Sequence, residues 1–296
     1  MSWRTVVVSH RAKLDLQLNY MVVRGETTTK VSLSEISVLL VDSTEVSLTV
    51  ALLAELVRLK IKVIFCDKKR NPAAELVGYY GSHDTSSKVR QQLGWSDNNK
   101  QSVWTEIVRA KIFNQKRVLE LLNKPEADLL EKYIGELKFN DSTNREGHAA
   151  KVYFNALFGM SFTRADENPI NAALNYGYAI ILSLCNREIV ANGYITQLGL
   201  NHSNVFNMYN LGSDLMEPLR PFIDYVVYHL WENDKLELFE KDEKMQVLSS
   251  INQDVFMDGK KQGLNYGAKL YVKSIFNALN DEDISLLRFC GFKEKG

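Results

Sequence analysis

The sequence predicts an α+β protein: a small β-rich N-terminal domain followed by a larger all-α C-terminal domain. Apolar side chains recur at nearly every second position in the first third of the 296 residues. From Trp104 onward their spacing lengthens to about 3.6 residues, the period of a helix with one buried stripe. The whole chain contains only 5 prolines, few enough for long helices.

Residues 3–8 are rich in β-branched types and read as a strand. Leu14, Leu16, Leu18, Tyr20 and Val22 alternate with polar residues almost throughout and read as one half-buried strand. Arg24-Gly25-Glu26 reads as a turn, and 36–41 as a further apolar strand. The capping types Asp42, Ser43 and Thr44 predict a helix start there, carrying Leu48, Leu52, Leu56 and Leu59. Residues 61–66 return to strand. This first domain spans 1–75. Residues 76–100 hold three glycines, many polar side chains and few spaced hydrophobes, and read as a linker or loop. The helical domain spans 101–296. Its first stripe is Trp104, Ile107, Val108, Ile112, Val118, Leu119 and Leu122, with further helices expected near 148–157, 172–190, 215–231 and 264–279.

Lys+Arg number 36 and Asp+Glu 36, so the chain is formally neutral. Neutrality excludes a uniformly basic coat for nucleic acid or membrane, but it averages opposed regions. Residues 76–118 carry seven bases against three acids, whereas 231–244 carry six acids against three lysines. The three cysteines form no CxxC or zinc spacing and read as reduced, mostly buried thiols of a cytoplasmic protein. The N-terminal stretch is interrupted by Arg4 and Arg11, unlike a signal peptide, and the apolar run 48–59 is too short to span a membrane.

No phosphate-binding glycine loop, dinucleotide fingerprint, HExxH or GxSxG pattern occurs. The candidate chemistry lies in polar residues set among apolar helical positions between 144 and 221. In the run 144–154, Glu146 shares a helical face with Ala149, Ala150 and Tyr153, small neighbours that admit a close approach. A first-turn glutamate favoured by the helix dipole explains the same pattern. Gly199 to Asn204 is a polar turn with one histidine, His202, a pattern equally natural for a solvated loop. Asp214 and Glu217 are spaced i and i+3, where two carboxylates repel unless a cation lies beside them, and Pro218 next to them belongs in a first turn or kink. The plain alternative is an acidic surface patch. Two carboxylates with one imidazole suit Mg²⁺ or Mn²⁺ better than zinc, although spacing alone brings none of them together.

The run Glu146-Gly147-x-Ala149-Ala150-x-x-Tyr153-Phe154 resembles the first signature of the CRISPR-associated spacer-acquisition integrase and endonuclease family. Gly199-x-x-His202 and Asp214-Leu215-Met216-Glu217-Pro218-x-Arg220-Pro221 resemble its other two, in the same order. Lys111-Ile112-x-Asn114-Gln115 and Asn171-x-x-Leu174-Asn175-Tyr176-Gly177-Tyr178 are also similar to the family, so the likeness covers essentially the whole chain. Details resemble the type II branch, which accompanies single-protein RNA-guided effector nucleases.

The resemblance implies that Glu146, His202 and Glu217 are divalent-metal ligands, with Asp214 the accompanying acid. Glu217 stands where some relatives carry Asp. It implies integration of short double-stranded DNA fragments into a CRISPR repeat array, by attack of a 3′-hydroxyl on a phosphodiester, with Mg²⁺ or Mn²⁺ as cofactor. It implies a homodimer formed through the β-rich domain, and a heterohexamer in which a small ferredoxin-like CRISPR-associated partner dimer bridges two such dimers. Candidate DNA-binding cations are Arg109, Lys111, Lys116, Arg117, Arg145, Lys151, Arg164 and Arg220, each also readable as an ordinary surface charge. Tyr153, Tyr176 and Tyr178 read more readily as helix packing than as base-stacking groups. Two competing functions remain at this stage: a structure-specific nuclease hydrolysing branched DNA, and a non-catalytic helical scaffold.

Overall fold

In the computed structural model, residues 4–78, 82–233 and 236–293 are described. The chain divides into two units, 1–83 and 84–296.

The first unit contains β1 (Arg4–Val8), β2 (Ala12–Gln17), β3 (Tyr20–Arg24), β4 (Thr28–Ser32), β5 (Ile36–Val41), β6 (Val46–Leu48), α1 (Val50–Arg58), β7 (Lys62–Cys66) and β8 (Pro72–Leu76). One sheet has the order β1-β5-β7-β8, with β8 antiparallel at its edge. All six residues of β5 are buried, as expected for an inner strand paired in parallel on both sides. The second sheet has the order β4-β3-β2-β6. Leu14, Met21, Leu39, Leu52, Leu56 and Val63 share one core, drawn from both sheets and α1.

Two local expectations are corrected. The alternating run from Leu14 to Val22 is a hairpin, not one strand: the chain reverses at Leu18, which is 90% exposed with φ 55°, and at Asn19, so that Gln17 pairs with Tyr20. Residues opposite one another across a hairpin share a face, so Leu14 and Leu16 face the core with Val23 and Met21. The core face passes from even positions (Leu14, Leu16) to odd ones (Met21, Val23) across the turn, and apolar residues at the even positions 18, 20 and 22 masked that switch. The helix expected from Asp42–Thr44 begins instead at Val50, capped by the Thr49 hydroxyl accepting from Leu52 N. Residues Val46–Leu48 add a short parallel strand beside β2 before it.

The second unit contains α2 (Thr85–Gly94), α3 (Asp97–Leu121), α4 (Ala127–Gly135), α5 (Arg145–Phe158), α6 (Pro169–Ala191), α7 (Asn210–Met216), α8 (Arg220–Glu232), α9 (Lys241–Ser249), β9 (Asp254–Met257), β10 (Lys260–Gly263) and α10 (Leu264–Asp281). The expectation of an all-α region is therefore corrected by one hairpin. Its turn, Asp258-Gly259, has both φ values positive, the conformation an Asp-Gly pair favours between two strands. The expected linker at 76–100 is also largely structured, although 79–81 lie outside the described residues. Gln92 on α2 is 4% exposed; its amide donates to the carbonyls of Ile195 and Leu198 and accepts from Ile195 N. Trp95 donates from Nε1 to Asn280 and packs on Tyr194 and Phe276. A low density of hydrophobes hid a segment held by polar anchors and one indole.

The 25-residue α3 carries the predicted apolar stripe, including Trp104, Ile107, Val108, Ile112 and Val118, all buried. It packs against α4, α5, α8 and α10, and against the 3-10 turn Glu217–Leu219. The same helix also buries Lys111, Asn114 and Gln115. Buried polar groups need partners, and those of α3 lead to the candidate site. Cys66, Cys185 and Cys290 are buried and unbridged. No helix among the described residues is long and apolar enough to cross a membrane.

Candidate active site

Glu146 lies in the first turn of α5. The N-cap, Asn144, has φ 51° and accepts from Gly147 N at 3.3 Å. A Cβ on Gly147 would come within 2.8 Å of the Asn144 amide, so the glycine leaves room for this cap. The Asp141 carboxylate accepts from the backbone N–H groups of Arg145 at 2.6 Å and Glu146 at 3.1 Å. These bonds satisfy first-turn donors and fix where the Glu146 side chain leaves the helix.

The carboxylates Asp214 and Glu217 are three positions apart in sequence but serve different parts of the site. Pro218 has no N–H to continue α7, and the backbone tightens into the Glu217–Leu219 turn, so the two side chains diverge. Asn114 Nδ2 donates to the Pro218 carbonyl at 2.8 Å and ties this turn to α3. Asp214 is fully buried and acts as the hub of the 199–202 loop. Its Oδ2 accepts from Leu200 N at 2.5 Å and Asn201 N at 3.1 Å, and its Oδ1 from His202 N at 3.1 Å. Oδ1 also meets His202 Nδ1 at 2.5 Å. A carboxylate only accepts, so Nδ1 carries the proton and Nε2 is left as the imidazole's lone-pair donor. Trp104 presents its ring edge-on to His202, with centroids 6.0 Å apart.

Glu217 faces α3. Lys111 Nζ lies 2.5 Å from Glu217 Oε2 and 2.6 Å from Glu146 Oε1, and thus joins the two carboxylates through one ammonium. The other Glu217 oxygen binds Arg220 at 2.9 Å. Burial alone would raise the Glu217 pKa, but the charges of Lys111 and Arg220 outweigh it and hold the carboxyl below its ordinary value. Burial likewise opposes the charge on Lys111, and the two glutamates overcome it. His202 is raised by its hydrogen bond to Asp214, against partial desolvation, with smaller contributions from Glu217 and Glu146. All three implied ligands therefore sit within one electrostatic neighbourhood.

Two oxygen donors and a free Nε2 suit a hard divalent cation, and the carboxylates already gather around a positive charge. Among the described residues, no three His, Cys, Asp or Glu side chains converge closely enough to hold a metal ion as they stand. Lys111 Nζ occupies the space between the glutamates, so a metal there requires the ammonium to move aside.

The other candidate cations are spread more widely. Arg109 pairs with Glu106, Lys116 with Glu120 and Glu131, and Arg145 with Glu136 while lying over Tyr133. Arg117 is largely buried; it pairs with Glu120 and donates to the Lys293 carbonyl. Arg164 bonds Asn171 and Asn175, and Lys151 is exposed on α5. Tyr153, Tyr176 and Tyr178 are buried between helices, in line with packing. Reading Lys111 as one more DNA-facing cation missed its bridging place, because its partners lie 35 and 106 positions away in sequence. Asp224 was missed altogether. It is buried on α8 and accepts from the Tyr178 hydroxyl.

A β-rich unit and a helical unit with paired carboxylates, a carboxylate-bound imidazole and clustered cations define a class of DNA-processing enzymes once set beside known proteins. The family described as CRISPR associated protein Cas1 matches residues 5–258. The CRISPR-associated endonuclease Cas1 of Neisseria meningitidis is 37% identical over 240 residues, covering 80% of this chain and 79% of its own. A Cas1 endonuclease of Francisella tularensis subsp. novicida is 29% identical over 233 residues, covering 70% and 73%. Among solved structures, a Cas1 protein from Thermotoga maritima superposes with TM-score 0.76 at 16% identity, covering 99% of this chain and 100% of that one. A casposase bound to integration product gives 0.77 at 18% identity, over 95% and 91%. A chain of a Cas6-RT-Cas1–Cas2 complex gives 0.72 at 17% identity; the match covers 99% of this chain and 36% of that longer one. The chain belongs to the CRISPR-associated Cas1 family and is an enzyme of its endonuclease and integrase kind.

Proposed function

We propose that this protein joins short double-stranded DNA fragments to the edge of a CRISPR repeat by transesterification. The observation that carries the reading is Glu146 and Glu217 gathered about one cation, beside a histidine held by buried Asp214. The 3′-hydroxyl of the fragment forms a new P–O bond as one repeat-strand P–O bond breaks. The proton lost by the attacking hydroxyl is balanced by the one gained at the leaving oxygen, so no nucleotide cofactor is consumed. Likeness to a casposase solved with its integration product supports joining over plain hydrolysis.

Glu146, His202 and Glu217 would hold Mg²⁺ or Mn²⁺, which supplies charge neutralisation at the phosphate and a lowered pKa for the attacking hydroxyl. The chain's own groups prepare that site. Asp214 fixes the His202 tautomer and ring direction, and Arg220 orients Glu217 from the side opposite Lys111. The type II branch, a cytoplasmic location and a homodimer formed through the β-rich unit complete the reading. So does a heterohexamer bridged by a small ferredoxin-like partner dimer, supported by likeness to chains of Cas1–Cas2 complexes. Arg109, Lys116, Arg145, Lys151, Arg164 and Arg220 remain the proposed DNA-facing cations, whereas Lys111 serves the two glutamates.

The deciding assay offers a labelled duplex fragment and a repeat-bearing plasmid together in Mn²⁺. Label becomes covalently attached with the native protein, and attachment is lost with Glu146→Gln, His202→Ala or Glu217→Gln. Full joining by all three variants overturns the site. Plasmid cleavage without attachment assigns hydrolysis instead.

A further inference from the structure

The signature around Asn171, Asn175 and Tyr178 has no place in the chemistry described so far. It lies on α6, which supplies neither of the carboxylates nor the histidine. Its side chains nevertheless converge on the site from behind. The Tyr178 hydroxyl donates to Asp224 Oδ1, a bond between two side chains buried at the α6–α8 contact. Asp224 is thereby satisfied, and the Tyr178 ring is pinned in one orientation.

That ring faces two guanidinium groups. Arg220 lies 4.8 Å from its centroid and Arg164 lies 5.3 Å away. Arg164 is itself fixed by Asn171 and Asn175, the other polar members of the signature. Arg220 has fewer anchors: Glu217 Oε1 at 2.9 Å, and a long contact to Met216 sulfur at 3.8 Å. Its Nε is buried without a hydrogen-bond partner among the described residues. A guanidinium held by one carboxylate and one aromatic face takes its direction from that face. The direction of Arg220 in turn sets which Glu217 oxygen remains for the Lys111 side of the site.

We propose that Tyr178 and Asp224 are positioning residues: their hydrogen bond holds the Tyr178 ring as a platform that orients Arg220 and, through it, Glu217. The proposal rests on the reading of Glu217 as an active-site carboxylate. Neither Tyr178 nor Asp224 touches substrate. Arg164, held by the two asparagines, takes up part of the negative charge of Asp224 and the ring face, leaving Arg220 free to serve Glu217.

The test has two readouts on the full chain. The first is ¹⁵N relaxation of the Arg220 Nε–H, assigned by its disappearance in Arg220→Lys. The native side chain is expected to be rigid, with an order parameter of about 0.8, falling below about 0.6 in Tyr178→Leu. Tyr178→Phe, which keeps the ring but not the hydroxyl, should fall between them. The second is fragment joining in Mn²⁺. Tyr178→Leu should slow it about tenfold, yet cause no further loss in an Arg220→Gln background, because the effect passes through Arg220. Unchanged Arg220 order, or losses that multiply in the double variant, overturns the proposal. Should Tyr178→Leu fail to fold, Tyr178→Phe and Asp224→Leu carry the same comparison. If the native protein joins no fragments, the reading of the reaction falls, while the relaxation measurement still decides the positioning.

Discussion

Lys111 Nζ and Glu217 Oε2 are 2.5 Å apart in a buried ion pair, and the same ammonium reaches Glu146 at 2.6 Å. A lysine in this place neutralises the carboxylates that a divalent cation would otherwise neutralise. It lets the protein fold with its acidic site assembled without a metal. The second cation on Glu217, Arg220, stays attached to the other oxygen.

Replacing Lys111 by Met should therefore lower stability in the absence of divalent ions by about 3 kcal/mol, the cost of leaving a buried charge without one of its partners. On the proposed metal site, Mn²⁺ would bind only the native arrangement, and it should raise the melting temperature of Lys111→Met more than that of the native protein. Denaturant titration with and without Mn²⁺ checks both. A variant as stable as the native chain, with no added response to Mn²⁺, rules out the bridging role.

The pH response of His202 follows from Asp214. The hydrogen bond raises the imidazole pKa above its ordinary 6.5. A group raised in the folded state contributes stability that is complete below the unfolded value and is lost as pH rises through the folded one. In the proposed site, ligation by Nε2 would need the neutral ring, so joining should decline toward acid pH with a midpoint set by His202. Asp214→Asn removes the charge that favours the imidazolium and should move that midpoint to lower pH. A pH–rate profile of both proteins reads the shift. An unmoved acid limb means that another group governs it.

Gly199 shows why the histidine signature contains a glycine. A Cβ at this position would collide with the His202 carbonyl oxygen and lie 2.6 Å from Asp214 Oδ2. The loop can place three backbone N–H groups on Asp214 only if residue 199 has no side chain. Gly199→Ala should cost about 1–3 kcal/mol in stability, the usual range for overpacking, and should suppress joining more than tenfold by displacing His202. Denaturant titration and the joining assay check the two effects. A fully active alanine variant contradicts the close-packed loop.

Much of this was readable from residue types. The buried strand β5, the α3 stripe and the change of period after Trp104 all report one-dimensional burial patterns, which side-chain polarity records directly. Glu146, His202, Asp214 and Glu217 were legible through ordered signatures. The turn at Leu18 was hidden because Leu18, Tyr20 and Val22 continue the apolar pattern at even positions while the core face switches to Met21 and Val23. The hairpin at Asp258-Gly259 had a usable signal, an Asp-Gly pair directly after the apolar run 255–257, that helical periodicity on either side masked. The Lys111 bridge and the Asp224 anchor were not legible, since both depend on distances between helices remote in sequence.

Asp224 gives a second pH-dependent test, this time of stability. Burial pushes its carboxyl from 3.8 up to about 6, although the hydrogen bond from Tyr178 and the charges of Arg164 and Arg220 oppose the rise. A carboxyl raised on folding binds its proton more tightly in the native state. Its contribution therefore favours folding most at pH values below 3.8, declines as pH rises to about 6, and is flat above that. The total change is about 3 kcal/mol by linkage. Asp224→Asn keeps an acceptor for the Tyr178 hydroxyl but cannot ionise. Relative to this variant, the native protein should lose about 3 kcal/mol of stability between pH 2.5 and pH 7. Denaturant titrations of both proteins across that range cancel the groups they share. Parallel curves would mean that Asp224 ionises on folding as easily as in water, and that the arginines, not burial, dominate its environment.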